Sequence, residues 1–327
     1  MTSRSWLVIA AAAGALSAFA FMGVIAPSLP AIVMYYLSPA PLFMAGLAFG
    51  ATAALIAALV ATVAIFVLLN IKAAAFYLVT TAIAPVILTW LALTSRPAAG
   101  GAEGEAADAA GREWYPEGRL LLWTSFMGGA LMSLTAVMLG PRLEDFRATL
   151  RGLAERMFTA MNAKAEMTAE QLQGLTSFVV NMTPLVATIL WVLATLGNMW
   201  LAARLVRAFG YESRPWAPFW KLAFHPRAMI ALAVASFASF LPGMAGLIGK
   251  IFAAALMAAF AILGLAVMHA LTLGNPWRGI ILGVLYAGLV FVNWLIALPL
   301  IVLALADLSF GLRARYFARH GGPPAAG

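Results

Sequence analysis

The sequence predicts an all-α integral membrane protein, a polytopic transmembrane bundle of about eight helical spans with one amphipathic surface helix. Three observations carry this prediction. Of 327 residues, 64% are hydrophobic and only 10% charged, with mean hydropathy +0.96. A soluble domain carries roughly a quarter charged residues, so the apolar surplus here faces lipid. The apolar residues also come in runs of about 20, the length that crosses a ~30 Å hydrocarbon core. Finally, the basic residues behind the net charge of +8 sit at the ends of those runs, where Lys and Arg meet lipid headgroups. With no nucleic-acid-binding motif beside them, they argue against a nucleic-acid partner and for the lipid bilayer. The chain has no cysteine, which excludes disulfides, thiolate metal sites and a cysteine nucleophile.

The first run, 6–26, follows Arg4. Ala18-Phe19-Ala20 resembles a signal-peptidase site, but the apolar stretch continues past it to Ala26, so it reads as a retained first span. Pro27, Pro30, Pro39 and Pro41 then punctuate a stretch expected to be an irregular, re-entrant or interfacial connection. Residues 41–69 form the next run, long enough to require a tilt or a break near Gly46 and Gly50. Residues 73–93 follow, with Pro85 as a kink.

Segment 94–118, containing AAGGAEGEAADAAG, is small, acidic and aperiodic, and reads as a flexible linker within a single membrane domain, 1–327. A span at 119–140 precedes an amphipathic helix and connector, 141–177. There Leu143, Phe146, Leu150, Leu153, Met157 and Met161 recur every three or four positions while the charges lie off that stripe. Such a helix lies on a membrane surface, on a partner, or on the protein's own bundle. Thr168 and Gln171 have capping-box spacing, opening a helix that spans at 178–203.

Residues 210–227, GYESRPWAPFWKLAFHPR, combine aromatic, basic and proline residues as an interfacial belt does. The last spans are 228–246, 251–271 and 279–306, with Lys250 separating the first two and snorkelling. Arg4 and the tail residues Arg313, Arg315 and Arg319 flank an even number of spans. This places both termini in the cytoplasm and 94–118 outside.

Enzyme signatures are missing. There is no HExxH, GxSxG or Walker loop, and the histidines are scattered at 225, 269 and 320. The expectation is no enzyme, with no catalytic, cofactor-binding or metal-ligating residues. Polar side chains in the spans do show order. Asn181, Thr188 and Thr195 recur every seven residues beside the row Pro184, Trp191 and Asn198. Tyr286, Asn293 and Asp307 lie on a similar row with Leu300 in the gap. Polar groups turn away from hydrocarbon, so these rows form either a polar interior lining a site or interhelical hydrogen-bonding contacts. Asp307 has a second reading, as the partner of the basic tail, and His269 reads as an interfacial hydrogen-bonder.

Several short motifs carry a resemblance. They are Asn198 … Ala202 … Arg204, the Pro/Trp-rich segment ending at Pro226, Gly264-Leu-Ala-Val-Met-His, Ala306-Asp307 … Arg313-x-Arg315, and Pro39-x-Pro41-Leu-Phe … Gly46. Together they resemble the YybS-like family of uncharacterised bacterial membrane proteins. That family is similar, more distantly, to the substrate-binding S components of energy-coupling-factor importers. The resemblance implies a multi-pass protein of the bacterial cytoplasmic (inner) membrane. It also implies docking of another membrane subunit on the small-residue face Ala11, Ala15 and Ala18. It transfers no ligand. Two functions remain open: a small-molecule transport or substrate-binding subunit, and a membrane scaffold or assembly factor acting through the amphipathic helix and the basic-aromatic loop.

Overall fold

The computed structural model describes residues 5–25, 28–97, 111–160, 168–211, 213–291 and 294–320. The described chain is almost wholly helical. By length and composition six helical stretches can cross a membrane, or seven if a pair bent by 73° counts as one. The chain groups into two compact units, Met1–Thr124 with Leu193–Ala217, and Ser125–Val192 with Pro218–Gly327.

In the first unit, α1 (Ser5–Phe21) is followed by α2 (Leu29–Leu37) and α3 (Ala40–Phe49), then α4 (Ala51–Leu68). Residues 29–49 therefore form a span of their own rather than the irregular connection the prolines suggest. The reason is positional. Ser28 caps α2 by accepting from the Ala31 N–H, and Pro30 and Pro41 sit in the first turns of α2 and α3, where a missing N–H costs no intrahelical bond. The break falls at Gly50, whose φ of 99° suits glycine and ends the run anticipated at 41–69. The next pass holds α5 (Ile71–Tyr77), a π turn (Leu78–Ala82) and α6 (Ile83–Ala92). Pro85 cannot donate one turn back, and the widened turn just before it accommodates that.

These four passes are in register. The Ser17 hydroxyl donates to the Ser38 carbonyl at 2.6 Å and meets the Tyr77 hydroxyl at 2.6 Å, while Gly14 lies against the Ala57 carbonyl and Gly46 against Thr89. Small residues make this contact. On α4, Ala53, Ala57 and Ala61 are fully buried while Leu59 and Val63 point outward, the inverse of a soluble helix and the habit of membrane bundles. Because the passes are even in number, the start of α1, the Gly50 turn and the end of α6 share one end of the unit. There Ser95–Pro97 (β1) pairs antiparallel with Arg112–Trp114 (β2). With the pass at 29–49 included, the start of α1 and the ribbon fall at the same end of the unit, whereas the three stretches expected from the sequence put 94–118 at the end opposite the start of the first. The margins of the expected linker form an ordered ribbon; residues 98–110 lie outside the described residues.

Two helices contribute to both units: α7 (Glu117–Leu139) and α9 (Ala169–Ala208). The capping box at the start of α9 forms in both directions. The Thr168 N–H donates to Gln171 at 2.9 Å and the Gln171 N–H to the Thr168 hydroxyl at 3.2 Å.

In the second unit, α8 (Leu143–Ala160) is the amphipathic helix. Phe146, flanked by Leu143 and Leu150, packs with Ala136, Leu247 and Ile251 of its own unit. Phe158, outside the expected stripe, is buried, whereas Leu153 and Met157 are exposed. Met161 lies outside the described residues.

Then come α10 (Arg227–Ala238) and α11 (Gly243–Leu271). The break expected at Lys250 is instead at residues 239–242, because Pro242 and Gly243, at φ 67°, start a new helix while nothing interrupts α11 at Lys250. Gly249 receives the end of α10, and Gly264 lies against the Leu300 carbonyl of α13. The expected 279–306 span is two helices, α12 (Arg278–Phe291) and α13 (Trp294–Phe310), with Gly288 close to Ile296. After Gly311, in the left-handed region at φ 64°, α14 (Leu312–Arg319) turns away. The Tyr316 hydroxyl reaches the Leu273 carbonyl, so α12 and α13 form a hairpin that leaves and returns near the end of α11.

Candidate functional site

The basic-aromatic segment 210–227 is held by two arginines, one in each unit. In the first, Arg214 comes from the loop itself and is buried, its side chain 3% exposed. Its guanidinium donates to the carbonyls of Ala92 (2.9 Å) and Tyr115 (3.1 Å) and to the Glu117 carboxylate (2.5 Å). It also stacks 4.3 Å from the Trp216 ring. The Ala217 N–H donates to the same carboxylate and the Ser213 hydroxyl to the Leu47 carbonyl. Burial pulls the Arg214 pKa down and Glu117 opposes it; the fork stays ionised. Arg214 thus ties together the end of α6, the ribbon and the start of α7, and Ser213 beside it adds the end of α3.

In the second unit, Asp307 closes the bend between α13 and α14. Its carboxylate accepts from the Arg313 N–H (2.9 Å) and Nε (2.8 Å), and Arg313 donates onward to the carbonyls of Trp220 (2.9 Å) and Leu222 (2.7 Å). Trp220 packs edge-on against Phe317. His269 meets the Tyr286 hydroxyl at 3.0 Å and the Phe219 ring edge-on.

Sequence points to Asp307 and the basic tail as a pair, and the tail residue engaged is Arg313. Arg214 and Glu117 are not singled out by the sequence; the available signal was an arginine among prolines and tryptophans, with its carboxylate 97 positions away in the chain.

The rest of the anticipated polar interior is spread out. Asn198 is buried and donates to the Tyr36 carbonyl (2.8 Å) and the Ala194 carbonyl (2.7 Å), while its Oδ1 has no partner among the described residues. Thr188 is buried and donates to the Pro184 carbonyl at 2.6 Å, and Thr195 is buried. Asn181 is exposed and bonds its own helix at Ser177. Tyr286 is exposed on α12 and Asp307 buried on α13, so their seven-residue row does not run along one helix. Asn293 lies outside the described residues. Asn198 belongs to the first unit and Asp307 to the second, each with partners from its own unit. Of the small-residue face, Ala18 is buried in the first unit's core, Ala11 is half-buried and Ala15 exposed.

Two cavities stand out in the first unit. One, about 220 Å³, lies between the ribbon and the start of α7 and is lined by Thr94, Arg96, Glu113, Tyr115 and Arg119. The other, about 320 Å³, is an apolar groove with Ile9, Leu16, Met44, Phe49 and Phe209 on its walls. At the ribbon, Arg96 grips Glu113 through Nε (2.9 Å) and Nη2 (3.1 Å), and that hydrogen bond holds the Glu113 carboxyl below its ordinary range.

Apolar helices of spanning length, with basic and aromatic residues at their ends, define a polytopic α-helical membrane protein. A family model described as "Predicted membrane protein (DUF2232)" matches residues 120–308, more than half of the chain, from α7 through nearly all of α13. The chain belongs to that family of membrane proteins of unknown function. Neither a curated protein nor a solved structure matches it.

Proposed function

We propose that this protein is a non-enzymatic membrane scaffold or assembly factor of the bacterial cytoplasmic membrane. Its working surfaces are the outer side of α8 and the basic-aromatic segment 210–227. The observation that supports this reading is how the polar groups are used. Arg214 and Arg313 are spent on holding that segment in an irregular but rigid course, and Thr188 and Asp307 are satisfied by near neighbours. Leu153 and Met157 of α8 meanwhile remain outward beside Arg151 and Arg156. In this reading α1 and α10, shorter than the six long stretches, complete eight spans, and the α12–α13 hairpin is re-entrant.

A second reading, a small-molecule binding or transport subunit, draws on one observation: the buried Asn198 Oδ1 is an acceptor without a donor among the described residues, a state that costs about 1–3 kcal/mol. Complementation of a strain lacking the gene separates the two. The scaffold reading expects Leu153→Asp/Met157→Asp to abolish the cellular role with insertion and thermal melt unchanged, and Asn198→Leu to retain it in proportion to folded protein. The reverse pattern rejects the scaffold and favours the binding subunit.

A further inference from the structure

The described basic residues of the first unit are unevenly placed. Arg96, Arg112, Arg119, Arg204, Arg207 and Arg214 all lie at or within two turns of the ribbon end, whereas Lys72 alone among the described basic residues marks the other end. Described acids at the ribbon end are Glu113 and Glu117, and Glu117 is bound to Arg214. Loops with such an excess of Arg face the cytoplasm, where the leaflet carries anionic lipid.

The 220 Å³ cavity sits at this end. Arg119 is exposed, rests 6.0 Å from the Tyr115 ring, and has no carboxylate in ion-pair contact among the described residues. Arg96 gives Glu113 its Nε and Nη2 and keeps its Nη1 donors, its side chain being 76% exposed. Two guanidiniums against one carboxylate leave a net positive charge on the cavity's described walls.

The cavity's depth in the bilayer is also marked. The Trp123 indole, one turn along α7, donates to the Tyr115 hydroxyl at 2.9 Å, and Trp90, one turn before Thr94, is 60% exposed. Aromatic rings of this kind sit at headgroup level with apolar surface toward the acyl chains. The volume falls below the roughly 300 Å³ at which pockets for drug-sized ligands begin, yet suits a single headgroup whose tails run outside.

We propose that the cavity between the ribbon and α7 binds the phosphodiester headgroup of an anionic phospholipid in the cytoplasmic leaflet, with Arg119 and the free edge of Arg96 as its cationic contacts. This is independent of the scaffold reading. Full-length protein in phosphatidylcholine nanodiscs is titrated with phosphatidylglycerol, and retained lipid is counted by native mass spectrometry. Loss of one charge-assisted contact corresponds to about tenfold in affinity. Arg119→Gln, which removes an exposed side chain with no hydrogen bond to replace, should therefore weaken phosphatidylglycerol retention about tenfold. Arg119→Lys should retain most of it. Lys72→Gln, at the other end of the same unit, removes one charge elsewhere and should leave retention unchanged. Equal retention by the parent and Arg119→Gln overturns the proposal, as does an equal loss in Lys72→Gln. A parallel arm adds inorganic phosphate and glycerol 3-phosphate to protein in phosphatidylcholine alone. Binding of those ions as tight as that of the lipid reassigns the site to a soluble phosphate and overturns the lipid.

Discussion

Replacing Arg214 by Met tests whether one side chain holds the ribbon end of the first unit together. Methionine keeps much of the volume and the apolar stem but removes every donor. The carbonyls of Ala92 and Tyr115 then lose partners they had at 2.9 and 3.1 Å, at about 1 kcal/mol or more each when buried. Glu117 loses its ion pair, but its side chain is 29% exposed, so water recovers part of that loss and the usual ~3–5 kcal/mol for breaking a buried pair is discounted. The sum is about 3 kcal/mol. For a unit of this size the thermal midpoint should fall by roughly 6–12 °C, followed in detergent by the fluorescence of Trp114 and Trp216 beside the guanidinium. Glu117→Gln keeps an acceptor and should cost less, and the double variant should be no worse than Arg214→Met alone, since the two residues share one interaction. A midpoint for Arg214→Met within a degree of the parent would refute the clamp.

Three further outcomes follow from the same geometry. Gly264→Ala drives a methyl into the Leu300 carbonyl of α13 and should cost about 1–3 kcal/mol in a melt, whereas Gly279→Ala, facing open space, should be nearly neutral. In whole cells, Lys72→Cys should react with an impermeant maleimide while Ala217→Cys is protected, because the two lie at opposite ends of the first unit; the reverse labelling inverts the topology. The Glu113 carboxyl is depressed by its hydrogen bond to Arg96. Its contribution to the ribbon is thus complete above the ordinary carboxylate pKa and disappears as pH falls through the lowered value. Trp114 fluorescence should report that loss on acidification, and Glu113→Gln should remove the pH dependence.

Fold class was legible because lipid imposes a crude requirement, long apolar helices, that composition alone reveals. Pass number was not legible, and Pro30 and Pro41 show why. A proline in a helix interior breaks it, one in the first turn does not, and the two cases read alike until Ser28 is seen capping α2. Lys250 misled in the opposite sense, since a charge suggests a boundary but a helix ends only where backbone geometry changes, here at Pro242 and Gly243. Local chemistry read well: Thr168 with Gln171, and Asp307 with the tail six residues on, are short-range pairs that spacing encodes. Arg214 with Glu117 is a long-range pair, and no periodicity links a loop arginine to a helix start at that separation. The seven-residue rows assumed uninterrupted helices, which holds for Thr188 and Thr195 on α9 and fails between Tyr286 and Asp307.

One short helix of the second unit bears on the lipid around it. At 1.5 Å per residue, α10, with 12 residues, is about 18 Å long. It presents large apolar side chains outward, including Ile230, Val234 and Phe237. In the proposed eight-span reading, α10 crosses a hydrocarbon layer of ~30 Å that it cannot match without exposing polar backbone at its ends, so the bilayer would thin beside it. Such a mismatch is a standing load on the surrounding lipid, and two proteins sharing one dimple deform less membrane than two apart. On that reading the protein would be drawn, with neighbours that have similarly short helices, into common patches of thin bilayer.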